Sequence, residues 1–347
     1  MKLEVLNDRW AFEPPPTRSI ACDAPVTACA FARNGAAAFA LGDGRVRIVP
    51  ADRAVDPPSD SQPLHKGVVL SLIADPAADG FISGGDDGRI LQIDPDGKAV
   101  ELADHRGKWI DRLSGHDKSG TFAAVAGRSA MIYGRDRQVR ELGPHASTVA
   151  DFDFSPDGGR IATTHYNGVT VWNLKEATQA PRQFMWKGSH LRVRWSPDTK
   201  FIATATQEND IHVWRLAQST DMRMQGYPVK VRSLSWSADA RWLFTASQPA
   251  FTAWPFAGKG PEGKPPLQFG EEGAGLMTVV LCHPREDYVA GGWDSGELQV
   301  GDFKQRRAGV LKLADKSPIS CLAWSPDGRR IAAGNEDGMA FLIEIRR

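Results

Sequence analysis

The feature that most constrains this 347-residue chain is a phrase that it repeats. Residues 154–172 read FSPDGGRIATTHYNGVTVW and residues 324–345 read WSPDGRRIAAGNEDGMAFLIEI, with the surface letters changed and the skeleton kept. The skeleton is an alternating apolar run, a Ser-Pro-Asp-Gly turn, an apolar strand, an Asn-Gly or Asp-Gly turn, and a further strand. Alternation with a period of two marks half-buried strands, and Asn-Gly or Asp-Gly between two of them marks a hairpin. A unit of this kind cannot cover its own apolar faces, so copies must stack on one another.

Sliding the phrase along the chain finds eight copies, starting at Val26, Val68, Ile110, Val149, Leu191, Val231, Met277 and Ile319, about 39 to 46 residues apart. The best are Val149–Leu174, Leu191–Leu216 and Ile319–Ile345; the weakest, Ile110–Tyr133, keeps two strands and loses both turn signatures. Each phrase shows three strands. The apolar snippets AVELA, QVREL, RQFMW, MRMQG, LQFGE and GVLKL fill a fourth slot before the next copy. A period of about 40–45 residues with four short strands per unit is the pattern of a β-propeller. The expected fold is therefore all-β, with four-stranded antiparallel blades and almost no helix.

The arithmetic yields eight blades. Seven would require the Ile110–Tyr133 unit to lie outside the ring, against its regular spacing. The last unit lacks its outer strand, and Arg18–Cys22 stands in the fourth-strand slot before the first unit. An N-terminal strand is thus expected to complete the last blade, which removes an open sheet edge. The expected organisation is an extension over 1–16 and a single propeller over 17–347.

Over roughly residues 17–347 the chain resembles the WD40-repeat β-propellers, with degenerate repeats. The Trp-Asp dipeptide that usually ends the third strand is never complete: Trp172, Trp214 and Trp254 keep the Trp, and Asp94 and Asp302 keep the Asp. The resemblance implies a structural hydrogen-bond network of a His, a Ser or Thr, an Asp or Asn, and the Trp. One unit approaches the full set, with His145, Thr163 (or its neighbour Thr164), Asn167 and Trp172. The repeat style, heavy in Ala, Gly and Arg, is bacterial in character.

Lys plus Arg equals Asp plus Glu at 42 each, so the chain carries no overall electrostatic footprint for nucleic acid or an anionic membrane. Charges at Lys2, Glu4, Asp8 and Arg9 interrupt the N-terminus, and no stretch reaches the length of a membrane span. Cys22, Cys29, Cys282 and Cys321 show no pairing spacing and read as reduced thiols. The expectation is a soluble, cytoplasmic protein.

Signals of chemistry are weak. GKGPEGKP at Gly258–Pro265 spells most of a phosphate-binding loop, but Pro follows where Ser or Thr would bind magnesium, and the flanks read as strands. Cys282-His283 is the one adjacent pair of soft ligands, at a strand end where other units have Ser-Pro. Neither zinc nor serine-hydrolase signatures occur. No catalytic residue, metal or cofactor is expected.

What remains is surface. In propellers of this kind the turn between the second and third strands shares a face with the entry to the innermost strand. That places Asp86, Tyr166, Glu208, Gln248, Trp293 and Glu336 in the turns, and Lys66, Trp109, Ser147, His190, Lys230 and Lys316 near the entries. The residues expected to touch a partner are Tyr166, Trp293, Trp109, Asp86, Glu208 and Glu336, because exposed aromatics are enriched among interface anchors. The leading expectation is a non-enzymatic scaffold that binds an unidentified protein, with no nucleic acid or membrane. The alternative is a propeller enzyme, or a binder of a small molecule or metal, using polar side chains around the central channel.

Overall fold

The repeated phrase folds as its turns dictate. The computed structural model describes residues 17–51, 62–176, 178–258, 260–270, 272 and 275–345; the expected N-terminal extension over 1–16 lies outside them. In the Ser-Pro-Asp turns the serine closes the loop on both sides. The Ser155 hydroxyl donates to Asp157 and accepts from the Arg160 amide at 2.9 Å, while Asp157 Oδ1 accepts from the Gly159 amide at 3.1 Å. Ser196–Asp198, Ser237–Asp239 and Ser325–Asp327 repeat the arrangement. These contacts hold the Asp157 and Asp327 carboxyls below their ordinary range, the serine hydroxyl being the largest cause in each.

All secondary structure among the described residues is β, in antiparallel pairs. The chain forms a β-propeller. The expected eight separate blades are corrected to seven sheets. The unit at Ile110–Tyr133 is not the one missing: Leu113–His116, Thr121–Ala126, Ser129–Tyr133 and Val139–Leu142 form a four-stranded sheet of their own. The reduction comes from fusion of the fourth and fifth repeats into one six-stranded sheet. Two long strands, Arg160–Asn173 and Arg182–Trp195, each continue as one strand through a turn, with Asn167 and Gly168 in the first and Gly188 in the second at positive φ. The first pairs with Asp151–Phe154 through its first half and with Arg182–Trp195 through its second, with a register shift between Tyr166 and Gly168. The first unit shows three strands, Val26–Phe31, Ala37–Leu41 and Val46–Val49; the connector that follows, with the slot for its fourth strand, falls largely outside the described residues.

The ring closes as expected. Thr17–Ala21 pairs antiparallel with Met339–Glu344, from Thr17 opposite Ile343 to Ala21 opposite Met339. Each repeat packs on the next through its own apolar cluster. One joins Val46 and Ala38 of the first repeat to Phe81 and Leu91 of the second, and another joins Phe31 and Phe39 to Ala332 and Ala340 across the closure.

The innermost strands touch in cyclic order, and short hydroxyls stitch them together. Ser71 Oγ donates to the Ile110 carbonyl at 2.7 Å, Thr278 Oγ1 to Ile319 at 2.6 Å, and Ser233 Oγ to Val280 at 3.1 Å. Between the fourth and fifth repeats aspartates do this instead: Asp151 Oδ2 accepts from the Val193 amide at 3.0 Å, and Asp153 Oδ2 from the Trp195 amide at 2.7 Å.

Candidate functional site

In several repeats a backbone hydrogen bond ties the turn between second and third strands to the entry of the innermost strand. The Asp86 amide donates to Val68 O at 3.1 Å, Gln207 to Ser189 O at 2.9 Å, Asp294 to Leu276 O at 3.0 Å, and Glu336 to Pro318 O at 3.1 Å. In the fourth repeat the Tyr166 amide donates to Ser147 Oγ at 2.9 Å. The turns and entries therefore share one face.

On that face Trp109 is 67% exposed and Tyr166 58% exposed, large values for aromatic side chains. Glu208, Glu336, Lys66, Lys230 and Lys316 are exposed, Asp86, Gln248 and Ser147 partly so, and His190 is buried. Trp293 is a correction: it is fully buried. Its indole folds back over Gly291, where a Cβ would stand only 2.9 Å from the ring, and packs edge-on against Phe251. Its Nε1–H donates to the Pro249 carbonyl at 2.9 Å. The residue expected in the turn is the last of the strand Tyr288–Trp293, opposite Met277, and a glycine two positions earlier leaves room for its ring in the core.

The strand entries of the third to sixth repeats surround a cavity of about 660 Å³. Its charged lining is Lys108, Arg112, Arg192, Lys230 and Arg232 against a single carboxylate, Asp111. Val125, Val149, Leu191 and Val231 supply apolar wall, and Trp109 stands at its edge. Arg192 is half-buried. Its Nε–H donates to the Arg232 carbonyl at 3.2 Å and one terminal N–H to the Leu191 carbonyl at 3.0 Å. Burial, with the Arg112 charge beside it, pushes the Arg192 guanidinium down to about 10, so it remains charged at neutral pH.

The structural network is wider than the sequence indicated. The His145 Nδ1–H donates to the Arg128 carbonyl at 2.9 Å; the Thr163 hydroxyl donates to Nε2 at 2.8 Å and accepts from Trp172 Nε1 at 3.2 Å. Asn167 stands outside this set, a second correction. It takes a positive φ of 71° at the turn, and its Oδ1 accepts from the Gly188 amide at 3.2 Å. The second repeat holds another three-membered set that sequence reasoning missed, with the Asp and without the Trp: His65 Nδ1 lies 2.9 Å from Asp87 Oδ1 and Nε2 lies 2.9 Å from Ser83 Oγ. In the sixth repeat Tyr227 takes the place of the histidine. His65–Ser83, His145–Thr163 and Tyr227–Thr245 are each separated by 18 positions, a spacing that was there to be read.

The other chemical candidates are held by structure. His283 Nδ1 accepts from the Arg285 amide at 3.1 Å and the Glu286 amide at 2.8 Å, and Nε2 lies 3.1 Å from the Gly328 carbonyl. Burial pushes the neighbouring Cys282 thiol up to about 12. No cluster of three metal-ligating side chains occurs among the described residues. The GKGPEGKP loop connects the strands Phe251–Pro255 and Leu267–Phe269, as expected, rather than opening a helix.

Comparison with known proteins agrees with this geometry. Residues 136–173, 188–215 and 309–344 match the WD40 family, described as WD domain, G-beta repeat. In those three segments the chain is similar to the WD40 repeat, on a β-propeller fold. The serine-threonine kinase receptor-associated protein of Mus musculus is 22% identical over 258 residues, 70% of this chain and 71% of that protein. Protein HIR1 of Cryptococcus neoformans is 26% identical over 227 residues, 55% of this chain but 25% of that longer protein. The computationally designed Ika8 protein, solved by crystallography, shares the fold with a TM-score of 0.72 at 16% identity, covering 94% of this chain and 98% of its own. These relatives are eukaryotic or designed, and they give no support to a bacterial source. WD40 propellers generally mediate protein–protein interactions, and no catalytic activity is attached to the names of the relatives. Among the described residues no helix is long and apolar enough to cross a membrane.

Proposed function

We propose that this chain is a non-catalytic scaffold whose eight repeat units, carried on seven sheets, present one face to a protein partner in the cytoplasm. The observation that carries the reading is the pair of exposed aromatics, Trp109 and Tyr166, on the face that also holds the cavity. Aromatic and arginine side chains with a large contact area and little entropy to lose are the usual anchors of protein interfaces. Glu208 and Glu336 are exposed on the same face, and Asp86 partly so, which suits a polar rim.

The enzyme alternative requires perturbed ionisable groups to gather where a substrate could reach them. Of the strongly shifted groups only Arg192 lines the cavity, and a guanidinium that stays charged at neutral pH is no general acid or base. Asp153, Tyr133, Tyr227, Cys282 and His212 owe their shifts to burial first. Tyr133, Tyr227 and Cys282 belong to the packing between repeats. A net charge of zero argues against nucleic acid as the partner.

The test is affinity purification with crosslinking from the native host, comparing wild type with a Trp109→Ala/Tyr166→Ala double variant. The expected result is loss of a partner at unchanged thermal stability. Retention of every partner by the variant would overturn the assignment of this face.

A further inference from the structure

The cavity bordered by Trp109 has a chemistry of its own. The whole chain is neutral, yet this one opening gathers five cations and one carboxylate. The local imbalance is not cancelled from below. Asp151, the nearest buried carboxylate, is already held by the Val193 amide at 3.0 Å and Arg194 at 3.1 Å, and its other oxygen lies 3.7 Å from Arg112. That leaves Lys108, Arg192, Lys230 and Arg232 without a carboxylate partner among the described residues. Cations brought this close cost free energy unless an anion arrives between them.

Arg192 is arranged for such an arrival. Two carbonyls fix the orientation of its guanidinium plane, and its other terminal nitrogen makes no hydrogen bond to the described residues. A pre-oriented guanidinium loses little entropy when it binds a carboxylate. The apolar wall of Val125, Val149, Leu191 and Val231, with Trp109 at the edge, separates two kinds of anion. A free polyphosphate would satisfy the cations and leave that wall wet. A peptide supplies aliphatic and backbone atoms to cover the wall as well as the negative charge.

We propose that the cavity seats an acidic peptide segment of the partner, with an Asp or Glu carboxylate against Arg192 and the flanking cations. This rests on the scaffold reading and deepens it by naming what the partner must carry.

The test is selection of a displayed library of random short peptides on the immobilised full chain. The expected result is enrichment of sequences richer in Asp and Glu than the library. Their affinity should fall by about tenfold or more in an Arg192→Gln/Arg232→Gln variant. It should also fall as salt rises from about 0.05 to 0.3 M. If that variant folds poorly, the Lys108→Gln/Lys230→Gln pair, at two exposed side chains, probes the same contact and should lose affinity several-fold.

Enriched sequences that are neutral or basic, or binding indifferent to both variants, would overturn the proposal. Neutral peptides that depend on Trp109 and Tyr166 would leave the scaffold reading standing and sink only the acidic docking. Recovery of no peptide at all sinks the acidic docking, and together with no co-purifying partner it sinks both readings. Binding of inositol hexakisphosphate to the wild type but not the variants, with no acidic peptide enriched, would assign the cavity to a small polyanion instead.

Discussion

Tyr227 donates its hydroxyl proton to Thr245 Oγ1 at 3.0 Å and so occupies the place of the histidines that meet Ser83 and Thr163 in other repeats, although at His145 it is the threonine that donates. The Tyr227 oxygen accepts from Trp254 Nε1 at 2.6 Å. One buried atom thus satisfies two others. Tyr227→Phe keeps the ring and removes that atom, leaving the Trp254 N–H and the Thr245 hydroxyl short of a partner. The expected loss is about 1–3 kcal/mol of unfolding free energy, read from urea denaturation at unchanged slope. A variant as stable as wild type would show that apolar packing alone holds the sixth repeat.

Gly291 makes room for the Trp293 indole. A Cβ at position 291 would lie 2.9 Å from the Trp293 ring and 2.9 Å from Phe251. Both rings are fully buried, so neither can swing away without opening the core between the sixth and seventh repeats. Gly291→Ala is expected to lower stability by about 1–3 kcal/mol through overpacking, seen as a reduced melting temperature. Gly97→Ala, where no atom lies within 4 Å, controls for the glycine effect in general, although its φ of 88° adds backbone strain.

These two sites show what the sequence made legible and where it stopped. The Ser-Pro-Asp turns and the Asn-Gly and Asp-Gly hairpins are local devices, so strands, spacing and closure by residues 18–21 could be read without coordinates. Whether an aromatic beside a turn faces outward is decided by its neighbours. Tyr166 is followed by Asn167 in a left-handed conformation and stays out, whereas Trp293 finds a glycine floor and turns in. Fusion of the fourth and fifth repeats was hidden for a similar reason. It depends on ladder pairing that runs on past the positive-φ residues Asn167, Gly168 and Gly188, which the composition of Arg160–Asn173 and Arg182–Trp195 does not announce. The cavity was invisible because its cations come from different repeats and meet only after the ring has closed.

Two buried groups titrate with opposite signs. Burial pushes His212 down to about 4, with its ring stacked on Trp186 at 4.1 Å. The unfolded chain binds that proton near pH 6.5, so the contribution of His212 to stability is full above that value and is lost as pH falls toward 4. Burial raises Asp153 to about 6, above its unfolded value. Its contribution is present at low pH and is lost as pH rises from about 4 to 6. His212→Phe, which keeps the stack, is expected to flatten the acid limb of a plot of melting temperature against pH. Asp153→Asn is expected to gain on wild type as pH rises from about 4 to 7. Parallel profiles for both variants and wild type would show that neither group titrates between the folded and unfolded states.

Closure of the ring hangs on five residue pairs between Thr17–Ala21 and Met339–Glu344. Ile20, only 2% exposed, and the fully buried Cys22 add to the apolar cluster that joins the last repeat to the first. Further bonds tie the segment sideways: the Cys22 carbonyl accepts from Arg45 at 2.8 Å and the Cys22 amide donates to Gly338 O at 2.8 Å. Deleting residues 1–22 would bare the edge of Met339–Glu344 and remove the Ile20 side chain, whose burial alone is worth about 1.5–3 kcal/mol. Because each repeat leans on both neighbours, the loss should spread beyond the last sheet. The expected outcome is a melting temperature lowered by at least several degrees, together with association through the bared edge on size-exclusion chromatography. Melting at the wild-type temperature by a monomeric truncated chain would mean that packing across the first and last repeats closes the ring without this strand.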